Sequence, residues 1–254
     1  MAVPRLRVFA GPNGSGKSTI KKVLRQDQLY IYVNADDLEK EAKVTGRIDL
    51  SPFGLQPSQQ AFNAFYSDHP LTKRSEQQND VHFFSMDGSR LNIGPVDLNS
   101  YHASVITDFI RHQLLEVKAS FTFETVMSDP SKIEFMRKAR LRGYRTYLYF
   151  VCTEDVSINL NRVQIRVAEN GHDVDPKKIR ERYHRCLGLL PEALLETDRA
   201  YLFDNSGELS ELEVEITDAS TYTYKVDYAH DWCFNAIDAF TELLMQEMQD
   251  VDWE

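Results

Sequence analysis

The segment Ala10-Gly11-Pro12-Asn13-Gly14-Ser15-Gly16-Lys17-Ser18-Thr19 decides the fold of this 254-residue chain. Gly11, Gly16, Lys17 and Ser18 match the pattern G-x-x-x-x-G-K-[ST] at every fixed position. The glycines let the backbone curl so that successive N–H groups point at phosphate oxygens. In this pattern the lysine reaches the β- and γ-phosphates, and the serine hydroxyl binds Mg²⁺. Residues 11–19 are therefore predicted to bind ATP and Mg²⁺ as a phosphate loop.

The flanking sequence supports this interpretation over a chance match in a Gly/Ser turn. Leu6–Ala10 is a short apolar run that suits a buried strand. Residues 19–24 follow the loop and place Ile20, Val23 and Leu24 on one helical face. The order strand, loop, helix is the structural context that the motif requires.

The composition is typical of soluble proteins, and the length suits one α/β domain. Charged residues make up 27% and hydrophobic residues 42%, and 254 residues suffice for one domain with insertions. The longest apolar runs have the length of strands, so we expect no membrane span. The first residues contain Arg5 and Arg7 but no apolar region of a secretory signal.

The three cysteines indicate the cellular compartment, and the net charge indicates which kinds of partner are disfavoured. Cys152, Cys186 and Cys233 form no C-x-x-C pair and have no histidine at metal-ligand spacing, so we expect reduced thiols and a cytoplasmic location. The net charge of −10 disfavours binding along a nucleic-acid backbone, although it leaves a local basic cleft open.

Five apolar segments alternate with helical patterns and predict a mainly parallel five-stranded sheet with flanking helices. The predicted strands are 6–10, 30–33, 121–123, 147–151 and 200–203. Residues 1–254 are predicted to form a single domain with an insertion at about 46–98 and an extension at about 208–254.

The two additions have their own patterns. In the insertion, 81–85 and 90–93 flank an Asp-Gly turn and predict a hairpin, and a helix is predicted over 99–115. In the extension, 213–216 and 221–226 predict a second hairpin, which a helix over 231–248 follows.

Acidic residues follow two of the predicted strands. In an open α/β sheet, side chains just past the carboxyl end of a strand face the ligand crevice. Asp36 and Asp37 are therefore candidates for a general base. The alternative is a helix N-cap, which we favour for Asp37. Glu124 and Thr125 follow the third strand, and the carboxylate could serve Mg²⁺ or a substrate.

Two arginine-rich helices are predicted beyond the fourth strand. Arg162 and Arg166 are four residues apart and project from one helical face, as expected of a lid that binds phosphate oxygens. The next helix contains Arg180, Arg182 and Arg185, for which we favour a solvated basic face instead. The connecting His172 is predicted to fix the loop by hydrogen bonding rather than to act in catalysis.

Taken together, these segments resemble the zeta-toxin family of P-loop kinases. The resemblance covers most of the chain, and its carrying segments are Gly11–Thr19, Val33-Asn34-Ala35-Asp36, Phe121-Thr122-Phe123-Glu124-Thr125, the helix with Arg162 and Arg166 followed by Asn170-Gly171-His172-Asp173-Val174, and Phe203-Asp204-Asn205-Ser206. It implies a P-loop NTPase fold of kinase type.

The resemblance also implies an activity. The best-known members phosphorylate a sugar hydroxyl of UDP-N-acetylglucosamine with ATP and Mg²⁺. By motif match, Asp36 would be the catalytic base, Glu124 and Thr125 would lie at the substrate or metal side, and Arg162 and Arg166 would be lid arginines acting with Lys17. An antitoxin protein is a further partner that the resemblance allows for.

Three departures limit what the resemblance carries over. The segment 46–98 is longer than usual where substrate is expected, Asn170 replaces a glycine common in the family, and 208–254 has no counterpart. A polynucleotide or antibiotic kinase, and a regulatory ATP-binding protein without an acceptor, remain as alternatives.

Overall fold

The computed structural model describes residues 2–22, 24–74, 76–169 and 173–251. Val23 of the predicted first helical face and Asn170, Gly171 and His172 of the predicted lid loop lie outside the described residues. No helix within the described ranges combines the length and the apolar character that crossing a membrane requires.

Strands and helices alternate along most of the chain. The strands are β1 (Arg5–Ala10), β2 (Ile31–Val33), β3 (Arg47–Asp49), β4 (Ser85–Asp87), β5 (Arg90–Asn92), β6 (Phe121–Thr125), β7 (Arg145–Cys152), β8 (Arg199–Asp204), β9 (Glu211–Thr217) and β10 (Thr221–Tyr224). The α-helices are α1 (Lys17–Lys21), α2 (Gln26–Leu29), α3 (Ala35–Thr45), α4 (Gln59–Asp68), α5 (Pro70–Arg74), α6 (Ser100–Glu116), α7 (Ser131–Leu141), α8 (Val156–Ala168), α9 (Pro176–Leu195) and α10 (Asp231–Val251).

The chain divides into two compact units, one formed by Met1–Leu29 with Thr122–Glu254 and the other by Tyr30–Phe121. The second unit contains the predicted insertion but extends beyond it at both ends. Compactness alone does not show that either unit folds independently. The single-domain arrangement therefore stays a prediction.

The first unit contains a mostly parallel sheet with flanking helices, as predicted. Its strands lie in the order β10-β9-β8-β7-β1-β6. Strand β7 pairs in parallel with β1 and with β8, whereas β9 pairs antiparallel with β8 and with β10. The predicted hairpin in the extension is confirmed, and it continues the sheet beyond β8.

Burial explains the sequence of the central strands. In β1 every residue after Arg5 is buried, and β7 is buried from Leu148 to Cys152. Strands covered on both faces read as continuous apolar runs rather than as alternating ones. Cys152, Cys186 and Cys233 are free and buried, and burial raises the pKa of the Cys152 thiol to about 12.

The second unit has a small antiparallel sheet in the order β3-β5-β4 and an aromatic core. The rings of Phe62, Tyr66, Phe84 and Phe109 contact one another with centroid distances of 5.2–5.8 Å. Helix α6 confirms the predicted helix, and Asn99 caps it by accepting hydrogen bonds from the backbone of its first turn.

The structure corrects three predicted boundaries. Residues 81–83 belong to a 3₁₀-helix (Glu76–Phe83) and not to a strand. Val81 in this helix and Phe84 directly after it are buried and three positions apart, which suits three residues per turn rather than alternation. The first helix after the phosphate loop ends at Lys21, earlier than the prediction. Helix α3 starts at Ala35, so Asn34 and neither predicted aspartate is its N-cap.

Candidate functional site

The phosphate loop connects β1 to α1 and depends on its glycines. Gly11, Gly14 and Gly16 have φ angles of +144°, +78° and +93°, a region that side chains disfavour. A Cβ atom at Gly11 would lie 2.0 Å from the carbonyl oxygen of Val151. One at Gly16 would lie 2.0 Å from Nδ2 of Asn205. The loop therefore has the tight backbone that the motif predicts.

Lys17 lies along this loop rather than in solvent. It is 8% exposed, and its Nζ donates hydrogen bonds of 2.9 Å to the carbonyl oxygens of Gly11 and Pro12. Ser18 and Thr19 follow it on α1 and are exposed. An ammonium group over the loop and an accessible hydroxyl beside it are the two groups that phosphates and Mg²⁺ require.

Ser15 adds a polar atom inside the loop. The side chain is buried, and its Oγ has no hydrogen-bond partner among the described residues. A buried hydroxyl without a partner costs free energy unless a ligand or water completes it. The loop thus contains an uncompensated donor that a phosphate oxygen can satisfy.

Polar side chains connect the phosphate loop to helices α8 and α9 through hydrogen bonds. Nδ2 of Asn159 on α8 donates to the carbonyl oxygen of Asn13 at 2.7 Å, and Oδ1 of Asn159 accepts from the hydroxyl of Thr153. The Tyr183 hydroxyl on α9 donates to the Thr153 carbonyl oxygen at 2.6 Å. Burial raises the pKa of the Tyr183 phenol well above its usual value, so it stays a donor.

The arginines of α9 differ from one another in position. Nη1 of Arg182 lies 3.5 Å from Oδ1 of Asn13, so this half-buried side chain reaches the phosphate loop. Arg180 is exposed, and Nε of Arg185 donates to the backbone of its own helix. Arg182 is thus the member of the predicted basic face that the fold brings to the loop.

Arg162 of α8 binds backbone rather than pointing into solvent. Its Nη1 donates to the carbonyl oxygen of Asn205 at 2.6 Å. Its Nη2 donates to those of Ser206 and Gly207 at 3.4 Å and 3.3 Å. Arg166 lies one turn later on the same helix and is exposed. The two predicted lid arginines therefore have different surroundings.

The loop after β8 reaches the phosphate loop directly. Nδ2 of Asn205 donates to the carbonyl oxygen of Ser15 at 2.7 Å, and the Asn205 backbone N–H donates to the carbonyl oxygen of Cys152 at 2.9 Å. The Ser206 hydroxyl accepts from the backbone N–H of Glu154 at 2.7 Å. The sequence segment 203–206 thus supplies a contact to the phosphate loop.

Glu124 and Thr125 end strand β6, as predicted, and both are half-buried. The Thr125 hydroxyl accepts from the backbone N–H of Met127 at 3.1 Å, and the buried Met127 has a φ of +56°. Sγ of Cys186 donates to the carbonyl oxygen of Val126 at 2.8 Å. These bonds fix the segment that leaves the strand next to Glu124.

In the second unit, Asp36 and Asp37 lie in the first turn of α3. Both are exposed, and neither carboxylate makes a hydrogen bond or an ion pair with another described residue. The backbone N–H of Asp36 donates to Oδ1 of Asn34 at 2.9 Å. Both carboxylates are accessible, and a general base must be able to reach the hydroxyl group whose proton it takes.

The part of the chain that the structure describes contains no group of three or more His, Cys, Asp or Glu side chains placed to hold a metal ion. Mg²⁺ in phosphate-transfer sites keeps several waters and needs only one or two protein ligands beside the substrate phosphates. The exposed hydroxyl of Ser18 fits that requirement.

Sequence reasoning did not find the support behind the loop. The sequence patterns did not indicate that Asn159, Thr153 and Tyr183 support the phosphate loop. A signal was present, because Asn159 lies on the face of α8 that also buries Leu160 and Val163. A polar residue on an apolar helical face needs a hydrogen-bond partner, which here is the loop.

Comparisons with known proteins were made at the levels of sequence and structure. No family model matches the chain. An uncharacterized protein of Haemophilus influenzae (strain ATCC 51907 / DSM 11121 / KW20 / Rd) is 22% identical over 175 residues, which cover 69% of this chain and 89% of that protein.

Solved structures give a clearer likeness. The crystal structure of AvrRxo1-ORF1:-ORF2 with ATP matches with a TM-score of 0.51 at 12% identity and covers 87% of this chain. The match spans 60% of the AvrRxo1 chain. The PezAT chromosomal toxin-antitoxin system of Streptococcus pneumoniae matches with a TM-score of 0.49 at 14% identity, over 96% of this chain and 88% of that one. The fold of the chain is that of a zeta-toxin-like P-loop kinase.

Proposed function

We propose that the chain is an ATP-dependent phosphotransferase whose acceptor is a hydroxyl group of a small molecule, with a nucleotide sugar such as UDP-N-acetylglucosamine first among the candidates. The observation that carries the proposal is the phosphate loop, whose three glycines have positive φ angles and whose Lys17 ammonium lies over the loop carbonyls. The matched AvrRxo1 structure contains ATP, and its fold likeness supports the same co-substrate here.

The phosphate loop would bind the ATP phosphates. Lys17 would exchange its bonds to the loop carbonyls for bonds to the β- and γ-phosphate oxygens. The Ser18 hydroxyl would hold Mg²⁺ together with those oxygens, and Glu124 is the acidic side chain of the same unit that we assign to the metal or substrate side. When Mg²⁺ is bound, it neutralises part of the negative charge of the phosphates.

Arginine would complete the electrostatic stabilisation of the transferring group. Arg166 is exposed on α8, and Arg182 reaches Asn13 of the phosphate loop. The planar guanidinium binds phosphate oxygens with two hydrogen bonds, which a lysine does not reproduce. We assign Arg166 the lid role that its position in the sequence predicts, and we add Arg182 as a second candidate because it lies beside Asn13.

Asp36 would act as the general base. Its carboxylate would take the proton of the acceptor hydroxyl as the oxygen attacks the γ-phosphorus and the bond to the β-phosphate oxygen breaks, leaving ADP. Its exposure and the absence of an ion pair to another described residue support this role. Asp37, the next residue in the chain, is the alternative candidate for the general base.

The second unit is our candidate for acceptor recognition. Phe84 is buried in the aromatic core, whereas the neighbouring Phe83 is 50% exposed. An exposed aromatic ring can stack on a base or a sugar. Thr125, predicted on the substrate side, binds the Met127 backbone and would act by fixing the strand end beside Glu124.

A protein partner is part of the proposal. The matched AvrRxo1 structure joins ORF1 with ORF2, which supports a complex between this chain and an antitoxin-like protein. The three free, buried cysteines suit a reducing compartment, and we propose the cytoplasm.

The test is phosphate transfer from [γ-³²P]ATP to a panel of acceptors in the presence of Mg²⁺. The panel contains nucleotide sugars, dinucleotides, aminoglycosides and RNA oligomers. We expect label on a nucleotide sugar. Label on RNA or an aminoglycoside alone would replace the acceptor class by one of the alternatives. Slow release of phosphate that no acceptor accelerates would indicate a regulatory ATP-binding protein.

A further inference from the structure

Asn205 occupies the space that Gly16 leaves open. Its side chain is 8% exposed, and its Nδ2 donates to the carbonyl oxygen of Ser15 at 2.7 Å. The same Nδ2 would lie 2.0 Å from a Cβ atom at Gly16. The amide thus packs against the phosphate loop directly before Lys17 and holds a carbonyl group there.

The amide is oriented from its other side. Oδ1 of Asn205 accepts a hydrogen bond from the Ser210 hydroxyl. With Oδ1 engaged, Nδ2 is the end of the amide that faces the loop. The Ser15 carbonyl oxygen therefore accepts from a donor of fixed direction. If this carbonyl group turned away, the hydrogen bond from Nδ2 of Asn205 would break and leave a buried donor unsatisfied.

The backbone around Asn205 is fixed as well. Both Nη atoms of Arg162 donate to the carbonyl oxygens of residues 205–207. The Asp204 carboxylate accepts from the backbone N–H and the hydroxyl of Ser206 at 2.7 Å and 3.0 Å. The loop that presents Asn205 is thus bound to α8, to β7 through Cys152 and to its own turn.

We propose that Asn205 is a positioning residue that sets the conformation of the phosphate loop, and that Arg162 acts through Asn205 by holding its backbone. The inference rests on the proposed ATP-dependent function. It assigns Arg162 a role different from a lid arginine, because its Nη1 and Nη2 atoms already bind three carbonyl oxygens. Neither residue needs to touch ATP for its loss to weaken nucleotide binding.

The experiment measures ATP affinity by isothermal titration calorimetry and the KM for ATP in the full chain. The variants are Asn205→Ala, Arg162→Ala and the double variant. We expect each single variant to weaken ATP binding about tenfold. The double variant should be no weaker than the worse single variant within about twofold, because both changes interrupt one chain of contacts.

Arg140→Ala is the matched control. Nη1 of Arg140 also donates to a backbone carbonyl oxygen, that of Leu195, at 2.6 Å, where α9 ends before the start of β8. This variant should lower the melting temperature without changing ATP affinity. If Asn205→Ala behaves like Arg140→Ala, with lower stability and normal ATP affinity, the positioning role is overturned. Additive losses in the double variant would overturn the statement that Arg162 acts through Asn205.

A further variant tests the hydrogen bond from Asn205 to the Ser15 carbonyl oxygen separately from any loss of folding stability. Asn205→Asp keeps the size of the side chain but replaces the Nδ2 donor with a carboxylate oxygen. A protonated carboxyl group can donate to the Ser15 carbonyl oxygen again. We expect the ATP affinity of this variant to recover as the pH falls from about 8 to about 5, where burial makes protonation accessible. The wild type should show no such recovery.

A flat profile for Asn205→Asp would overturn the donor role. Absence of ATP binding by the wild type would overturn the proposed function and this inference together. Normal binding by the wild type and by both Asn205 variants would overturn this inference alone.

Discussion

The indole Nε1 of Trp232 donates a hydrogen bond to Oδ2 of Asp204 at 2.9 Å, with both side chains buried. This bond ties the first turn of α10 to the carboxyl end of β8, next to the loop that presents Asn205. Helix α10 also packs on α9. The extension 208–254, for which the sequence suggested no counterpart, is therefore joined to the elements that support the phosphate loop.

Replacing Lys17 with alanine should abolish ATP-dependent transfer. In the proposed function the Lys17 ammonium binds the β- and γ-phosphates, so we expect turnover to fall at least about a hundredfold. Circular dichroism should show a folded protein, because Asn159 and Asn205 also hold the loop through its Asn13 and Ser15 carbonyl oxygens. Calorimetry with unchanged ATP affinity, together with unchanged activity, would remove Lys17 from the mechanism.

Replacing Asp36 with asparagine should separate binding from chemistry. The amide keeps the size of the side chain but cannot accept the hydroxyl proton. Turnover should fall at least about a hundredfold while ATP affinity stays near normal. Asp37→Asn is the matched control, since Asp37 is also exposed in the first turn of α3. Loss of turnover in Asp37→Asn alone would move the base to Asp37.

Replacing Gly16 with alanine should cost more stability than replacing Gly143. Both glycines have positive φ angles, +93° and +82°, but only Gly16 has an atom where the Cβ would go. Gly143→Ala should lower the free energy of unfolding by about 1 kcal/mol through backbone strain. Gly16→Ala should lower it by at least about 2 kcal/mol, since Asn205 must also move. Equal losses in denaturant titrations would contradict the close approach of Asn205.

The stability of the chain should depend on pH through His230. Its Nδ1 is hydrogen-bonded to the buried Glu213, and its Nε2 lies 3.8 Å from Glu154 and 3.9 Å from Asp204. The hydrogen bond to Glu213 raises the pKa of His230 above the usual 6.5, and the nearby acids add to the effect. The folded state therefore favours the protonated imidazole.

The raised pKa of His230 sets the direction in which stability changes with pH. The stabilisation is complete below pH 6.5, where the unfolded chain also carries the proton, and is lost as pH rises through the higher folded pKa. We expect the melting temperature of the wild type to drop by about 1–2 °C more than that of His230→Gln as pH rises past this range. Parallel curves for the two proteins would show that His230 contributes nothing to the pH dependence.

Periodicity predicted the elements of the fold better than their ends. The strand and helix positions followed from apolar runs and from helical faces, because burial sets both patterns. The start of α3 was misplaced since Asn34, Asp36 and Asp37 are all able to cap a helix. In the structure Asn34 is the N-cap, since its side chain accepts from the backbone N–H of Asp36, and the residue types alone do not show which of the three forms this bond.

The candidate site was predictable in part for a related reason. The motif located Lys17 and Ser18 because it specifies local backbone geometry. The helical patterns favoured a lid role for Arg162 and a solvated face for Arg182, whereas Arg162 binds the backbone of residues 205–207 and Arg182 lies beside Asn13. Their directions depend on contacts with Asn13 and Asn205, which are far away in sequence.

The bond between Ser15 and Asn205 joins residues that are 190 positions apart. During synthesis the phosphate loop leaves the ribosome well before the Asn205 amide, which follows strand β8. Contacts of such long range form late, because the intervening chain must first be ordered. A nascent chain would therefore gain the bond between Ser15 and Asn205 only after strand β8 has been made, so a product that stops before β8 would carry the motif without this support.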